Sequence, residues 1–175
     1  AVVGLPIAHI MGFAALVGLA CGGIPVYFLP RFRPTDVLDA LEQRRSSLFI
    51  GVPAMYRMMW EAGAADRDLS SVRVWISGAD AILTDLAAEF RKLGASVHLP
   101  LVGSLGDALF VEGYGMVETG GAAAAKLSLP AVGESLLPLP GYHFKVVDER
   151  GHEVAVGGEG ELWMKGPGVL KGYWG

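Results

Sequence analysis

Two regimes of hydrophobic patterning divide the 175-residue chain. Up to about residue 130, short apolar runs alternate with stretches of helical period; beyond it, strand-like alternation is broken by turn signals. The runs at 24–29, 48–50, 72–77 and 108–112 are dominated by β-branched, aromatic or Leu residues, the composition of strands covered on both faces. Between them the pattern predicts helices. One takes Thr35 as its N-cap and turns Val37, Leu38 and Leu41 to one face, with Asp39, Glu42 and Arg45 outward. Another starts at Pro53 and carries Met55, Tyr56, Met59 and Trp60. A third is capped by Thr84, places Leu86, Phe90 and Leu93 at i, i+4 and i+7, and stops at Gly94. Helices alternating with strands imply βαβ units, so residues 1–130 are predicted as an α/β subdomain, a mostly parallel sheet flanked by helices. Further on, Tyr142, Phe144 and Val146 alternate with His143, Lys145 and Val147, a turn at 148–151 leads to Glu153-Val154, and Gly157-Gly158 precedes a run at 161–165. Residues 131–175 are therefore predicted as part of a small antiparallel, β-barrel-like subdomain without further helices.

The first 30 residues contain no Asp, Glu, Lys or Arg, which raises the question of a membrane span. Pro6, Pro25 and Gly22-Gly23 interrupt the run, and the helical stretch that remains, about Met11 to Cys21, is only ~16 Å long at 1.5 Å per residue. A buried helix is the expectation. No charged segment precedes an apolar one as a signal peptide requires. With 52% hydrophobic and 18% charged residues the chain suits a globular core, and a net charge of −4 without a basic cluster beyond Arg44-Arg45 argues against nucleic acid as a main partner. Cys21 is the only cysteine, so neither an internal disulfide nor a thiolate-rich metal site can form, and a reducing, cytoplasmic setting fits. The chain opens on Ala1 and closes inside a Gly-Tyr-Trp-Gly run, so it reads as an internal piece of a longer protein.

Candidate chemistry concentrates in Gly113-Tyr114-Gly115-Met116-Val117-Glu118, directly after a predicted strand end, where open parallel sheets place ligands. Glycines admit a ligand close to the backbone, a Tyr ring can stack on a planar base, and a carboxylate can hold a hard cation such as Mg2+ beside phosphate. On residue types alone, the same six residues also read as a strand-to-loop turn with a packed Tyr and a solvated Glu.

Further stretches bear on that choice. Leu5-Pro6-Ile7-Ala8-His9-Ile10-Met11-Gly12 fits a Leu-Pro-x-x-His-x-x-Gly motif, and Gly51-Val52-Pro53-Ala54-Met55-Tyr56 a Gly-Val-Pro-x-x-Tyr motif. Ser77-Gly78-Ala79-Asp80 stands in place of a Ser-Gly-Gly-Ala loop, and Gly113 to Glu118 matches Gly-Tyr-Gly-x-Thr-Glu. Gly160-Glu161-Leu162 with Gly166, followed by Gly172-Tyr173, matches a Gly-Glu-Leu-x-x-x-Gly and Gly-Tyr segment. Together these motifs, in this order and over nearly the whole chain, resemble the AMP-forming acyl-CoA synthetases of the adenylate-forming superfamily, within their large N-terminal domain. The resemblance implies ATP, Mg2+ and, as co-substrate, CoA. It also implies a two-step reaction in which a carboxylate attacks the ATP α-phosphate to give acyl-adenylate and pyrophosphate, and the CoA thiol then displaces AMP. Carried over residue by residue, it implies that Tyr114 stacks on adenine and that Glu118 binds Mg2+ as a catalytic residue. It further implies that Gly78, Ala79, Asp80, Glu112, Gly113, Gly115, Met116 and Val117 line the nucleotide site, and that His9 lies beside the acyl site. The acid it implies is a medium- or long-chain fatty acid, a reading compatible with peripheral membrane contact.

The chain departs from the family pattern at several points. Val117 stands where the family usually has Thr; a hydrogen bond to a charged group contributes roughly 1.5–3 kcal/mol, so adenylation is expected to slow by about one to two orders of magnitude unless another donor substitutes. Asp80 either bonds the adenine amine or caps the following turn. Residues 94–109 exceed the link most relatives use. With Pro100, Gly103 and Gly106 they predict an ordered surface loop, in which His98 and Asp107 are solvated, and which shapes the acyl tunnel, meets a partner or is neutral. The family's phosphate loop should precede Ala1, and its ribose-binding Asp and C-terminal domain should follow Gly175, so these residues alone are expected not to complete the reaction. The alternatives are a non-catalytic paralogue that binds nucleotide or acyl groups, with Val117 as its mark, and the adenylation domain of another adenylate-forming enzyme.

Overall fold

The computed structural model describes residues 1–99, 101, 103–127 and 135–174. The chain runs through β1 (Val2–Val3), α1 (Ile10–Cys21), β2 (Tyr27–Phe28), α2 (Pro34–Gln43), β3 (Leu48–Gly51), α3 (Pro53–Glu61), β4 (Val74–Gly78) and α4 (Thr84–Leu93). It continues through β5 (Val97–Leu99), β6 (Gly103–Leu105), β7 (Leu109–Met116), β8 (Gly121–Leu127), β9 (Leu136–Pro138), β10 (His143–Val147) and β11 (Glu161–Lys165). The main sheet has the order β2-β1-β3-β4-β7-β8-β9, parallel from β2 to β7 and antiparallel at β8 and β9. This is the helix-flanked, mostly parallel sheet that the alternating pattern predicts.

Side-chain alternation along the strands builds two cores. Val2, Phe49, Trp75 and Phe110 pack with Val37, Leu38 and Leu41 of α2, Tyr56 and Met59 of α3, and Phe90 of α4. Their neighbours Val3 and Ile50 point the other way, joining Leu5, Leu19 and Met55, with Ile76 and Met11 packed alongside. In the first core Tyr56 meets Phe49, Trp75 and Phe90 edge-on at centroid distances of 5.5, 6.2 and 5.0 Å. Each such pair contributes ~0.5–1.5 kcal/mol beyond its burial. The Tyr56 hydroxyl donates to the Ile76 carbonyl at 2.9 Å, so the tyrosine of the Gly-Val-Pro-x-x-Tyr stretch fastens α3 to β4.

Several boundaries differ from expectation. Arg33, not Thr35, is the N-cap of α2; Pro34 occupies the first helical position, where its missing N–H is no loss. Thr84 is likewise the first residue of α4 rather than its cap, with Asp85 in the first turn facing the positive end of the helix dipole. The 24–29 run contracts to Tyr27–Phe28 because the Ile24 N–H closes α1 on the Leu19 carbonyl. β8 is built largely of Ala, a poor strand former; its buried Ala123 and Ala124 succeed because their small side chains suit the close approach to β7. Where a surface loop is expected, β5 (Val97–Leu99) pairs antiparallel with β6 (Gly103–Leu105). Asp107 is paired with Arg91 at 3.6 Å rather than merely solvated. Pro100 and the side chain of His98 lie outside the described residues. No helix among the described residues is long and apolar enough to cross a membrane.

The position at which the two subdomains were expected to meet, 130, falls outside the described residues. Beyond it, β9 still belongs to the main sheet, and β10 and β11 form a separate two-stranded antiparallel sheet.

Candidate functional site

The approach to α1 explains its motif. Leu5 is buried, and Gly12 has no room for a side chain: a Cβ there would lie 2.1 Å from the Pro6 carbonyl oxygen. His9 sits between them as the N-cap of α1, its Nδ1 accepting the Met11 backbone N–H at 3.2 Å. An accepting Nδ1 leaves the N–H of a neutral ring at Nε2. His9 is exposed, and so is not the hydrogen-bonded core residue that a lone histidine beside an apolar helix suggests.

Between α1 and the carboxyl ends of β3, β4 and β7 lies a cavity of about 490 Å3. Its apolar wall comes from Ile10, Met11, Ala14, Ala15, Ile50 and Ile76, and its polar wall from the strand-end backbone. Of the residues picked out by sequence, His9, Gly78, Ala79 and all six from Gly113 to Glu118 line it. Asp80 and Glu112 do not. Asp80 is exposed and its Oδ1 accepts the Ala81 N–H at 2.8 Å, which caps the following turn. Glu112 pairs with Lys126 at 3.2 Å across the β7–β8 ladder. Ala14, Ala15, Gly121 and Ala122 also line the cavity and were missed, because only tertiary pairing brings α1 and β8 to the strand ends. Ser77, a further lining residue, is fully buried with an unpartnered hydroxyl.

The six-residue motif is part of β7 rather than a loop after it. Gly113 is the last residue paired with β4; Tyr114, Gly115 and Met116 run past the end of β4 and are held by β8 alone. At Gly115, beside a break in register, a Cβ would lie 1.9 Å from the Gly121 carbonyl oxygen, so only glycine permits β8 to fold back so closely. Ala79 has φ of 70°, a left-handed conformation that costs a residue with a Cβ about 1–2 kcal/mol.

A 3-10 turn follows at Val117–Thr119. Val117 is 65% exposed and adds no donor to the rim. The neighbouring hydroxyl does not replace the missing one. Thr119 is buried, its Oγ1 accepts the Met116 N–H at 3.0 Å, and it lies 2.7 Å from the Gly121 carbonyl. Glu118 stands at the mouth and accepts the Tyr173 hydroxyl on Oε1 at 2.9 Å. Its own backbone N–H, and then the Tyr173 phenol, hold its carboxyl below the usual carboxylate range, while the same contact raises the phenol. Among the described residues no group of three or more His, Cys, Asp or Glu is placed to hold a metal. A cation at Glu118 would therefore take its other ligands from water and phosphate oxygens, the usual arrangement for Mg2+.

The geometry agrees with what the chain is similar to. A family model for AMP-binding enzymes matches residues 1–174. A feruloyl-CoA synthase from an Amycolatopsis species is 32% identical over 191 residues, covering 100% of this chain and 34% of that protein. A long-chain-fatty-acid–CoA ligase from Bacillus subtilis is 29% identical over 175 residues, covering 97% and 29%. Among solved structures, the o-succinylbenzoate CoA synthetase of Bacillus subtilis in complex with its acyl-adenylate intermediate matches with a TM-score of 0.77 at 25% identity, over 98% of this chain and 33% of that one. That synthetase is also known with AMP, and with ATP and a magnesium ion. The chain spans about a third of the length of these relatives. Its relatives are acyl-CoA ligases, and the chain itself belongs to the family of AMP-binding, adenylate-forming enzymes.

Proposed function

We propose that the protein carrying this chain is an ATP-dependent acyl-CoA ligase that activates a medium- or long-chain aliphatic acid as its acyl-adenylate and passes it to CoA. The observation that carries this reading is the convergence of His9, Gly78, Ala79 and Gly113 to Glu118 on one cavity at the carboxyl edge of a parallel sheet. About 490 Å3 falls in the range of small-molecule sites. The strand-end backbone at Gly78, Ala79, Gly113 and Gly115 would meet the nucleotide, and Tyr114 would stack on adenine. Glu118 would hold the Mg2+ of ATP, which supplies charge neutralisation at the phosphates. His9 can offer its Nε2–H to the acid's carboxylate, and no side chain needs to act as nucleophile. Catalysis then rests on alignment and on stabilising developing charge.

The aliphatic choice rests on Ile10, Met11, Ala14, Ala15, Ile50 and Ile76, which offer methyl and methylene surface to a chain lying in the cavity. Glu112 and Asp80, which do not line the cavity and bond Lys126 and the Ala81 N–H, are left out of the nucleotide assignment. A cytoplasmic setting, with CoA at hand and Cys21 reduced, fits this reading, as does peripheral contact with a membrane that holds the acid.

A second reading is favoured by Val117 and by the buried Thr119 hydroxyl: a binding protein that has lost adenylation. Acid-dependent ATP–pyrophosphate exchange by the full-length protein decides between them. The first reading expects exchange with aliphatic acids, accelerated about ten-fold or more in Val117→Thr. Exchange driven only by hydroxycinnamic acids would overturn the aliphatic assignment. Tight ATP binding without exchange would establish the second reading.

A further inference from the structure

The carboxylate assigned to the cation is already gripped from a distant part of the chain. Tyr173, 55 residues away, donates its hydroxyl to Glu118 Oε1 at 2.9 Å, and the Leu170 N–H donates to the Glu118 backbone carbonyl at 2.8 Å. One segment thus holds both the main chain and the side chain of the same residue. The segment is seated tightly: at Gly168 a Cβ would lie 2.2 Å from the Tyr142 hydroxyl and 2.3 Å from the Thr119 carbonyl oxygen. The Tyr142 hydroxyl in turn donates to that carbonyl at 2.7 Å, so residues 142 and 166–173 brace the 3-10 turn that carries Glu118.

We propose that Tyr173 is a positioning residue, which orients the Glu118 carboxylate toward a divalent cation bound with nucleotide; this rests on the assignment of Glu118 to that cation. A carboxylate has two oxygens and about four acceptor sites, and the phenol takes one of them on Oε1. The residue's own backbone N–H takes another, so about two acceptor sites remain for a cation and the phenol fixes the side chain without blocking it. Tyr173 is itself 80% exposed, so nothing in the packing of its ring requires this partner. The exposure also means that Tyr173→Phe should leave folding intact while removing only the donor.

The test is ATP binding to the full-length protein by titration calorimetry, with and without Mg2+, for wild type, Tyr173→Phe and Glu118→Gln. The informative quantity is the ratio of the two dissociation constants, which a general structural defect would not move selectively. Glu118→Gln should collapse the ratio toward one. Tyr173→Phe should reduce it by roughly ten-fold, the lower end of what loss of an outer-shell partner does to metal affinity, with Mg2+-free binding unchanged. If Glu118→Gln collapses the ratio and Tyr173→Phe leaves it unchanged or raises it, the positioning role is wrong and the Glu118 assignment stands. If Glu118→Gln leaves the ratio intact, both are wrong.

Discussion

The two faces of β3, β4 and β7 are made by alternate residues of the same strands and finish with opposite characters. On one face Phe49, Trp75 and Phe110 stand in register on adjacent strands and close against Tyr56 and Phe90. On the other, Ile50, Ile76 and Gly78 lie opposite Met11, Ala14 and Ala15, and a cavity of about 490 Å3 remains. Backbone geometry is shared, so the volume of the side chains packed on each face decides which is sealed and which stays open. The two faces are also tied together. The Tyr56 hydroxyl on the closed side bonds the carbonyl of Ile76, whose side chain lies on the open side. A rigid ring cluster thereby holds the strand whose end forms the wall of the site.

The closed face should be the more costly to damage. Phe110→Ala, at a fully buried ring, is expected to destabilise the chain by about 3–5 kcal/mol in denaturant unfolding. Ala14→Leu on the open face should change stability by less than about 1 kcal/mol, because the added methylenes enter empty space. It should reduce acid-dependent exchange in the full-length protein by more than about ten-fold, since the same space is what an acyl chain needs. Equal stability losses for the two would mean that the open face is packed core after all. Tyr56→Phe tests the tie between the faces: losing the hydroxyl leaves the Ile76 carbonyl without that donor, for an expected loss of about 1–2 kcal/mol.

Smaller effects are expected at the rim. Ala79→Gly removes the cost of a left-handed Ala and adds unfolded-state entropy, a net gain of about 0.5–1 kcal/mol, read as a raised unfolding midpoint. At Glu118 the folded carboxyl titrates below its unfolded value, so its bonds to its own backbone N–H and then to Tyr173 stabilise the chain above the ordinary carboxylate range. That contribution falls away as pH drops through the lowered folded value. Unfolding measured across the acid range should show a slight pH dependence from this carboxyl in wild type that is weakened, not abolished, in Tyr173→Phe, where the backbone N–H remains.

Much of this comparison was legible in the sequence, and the omissions have physical causes. The interior strands β3, β4 and β7 stand out because strands covered on both faces need continuous apolar runs, and Val37, Leu38 and Leu41 mark their helix face by simple period. β1, only Val2–Val3, is too short to show any period. β8 was hidden because its Ala run has no strand propensity and exists as a strand only through pairing with β7. The glycine-rich motif pointed to a strand end that does line the cavity, yet Glu112 and Asp80, which do not line it, could not be separated from it. Whether a strand residue faces the cavity or its neighbour's lysine depends on sheet register, which sequence spacing alone does not reveal. The Tyr173 contact was equally out of reach, since it joins segments 55 residues apart.

The central claim is that adenine lies against Tyr114 and the nucleotide phosphates near Glu118. Photolabelling of the full-length protein with an azido-adenine analogue of ATP in the presence of Mg2+, followed by peptide mapping, tests it most directly. The account predicts adducts within residues 113–118 and at Gly78-Ala79, suppressed by unlabelled ATP and by Glu118→Gln. Competable labelling confined to other parts of the chain, with none at these two strand ends, would contradict it.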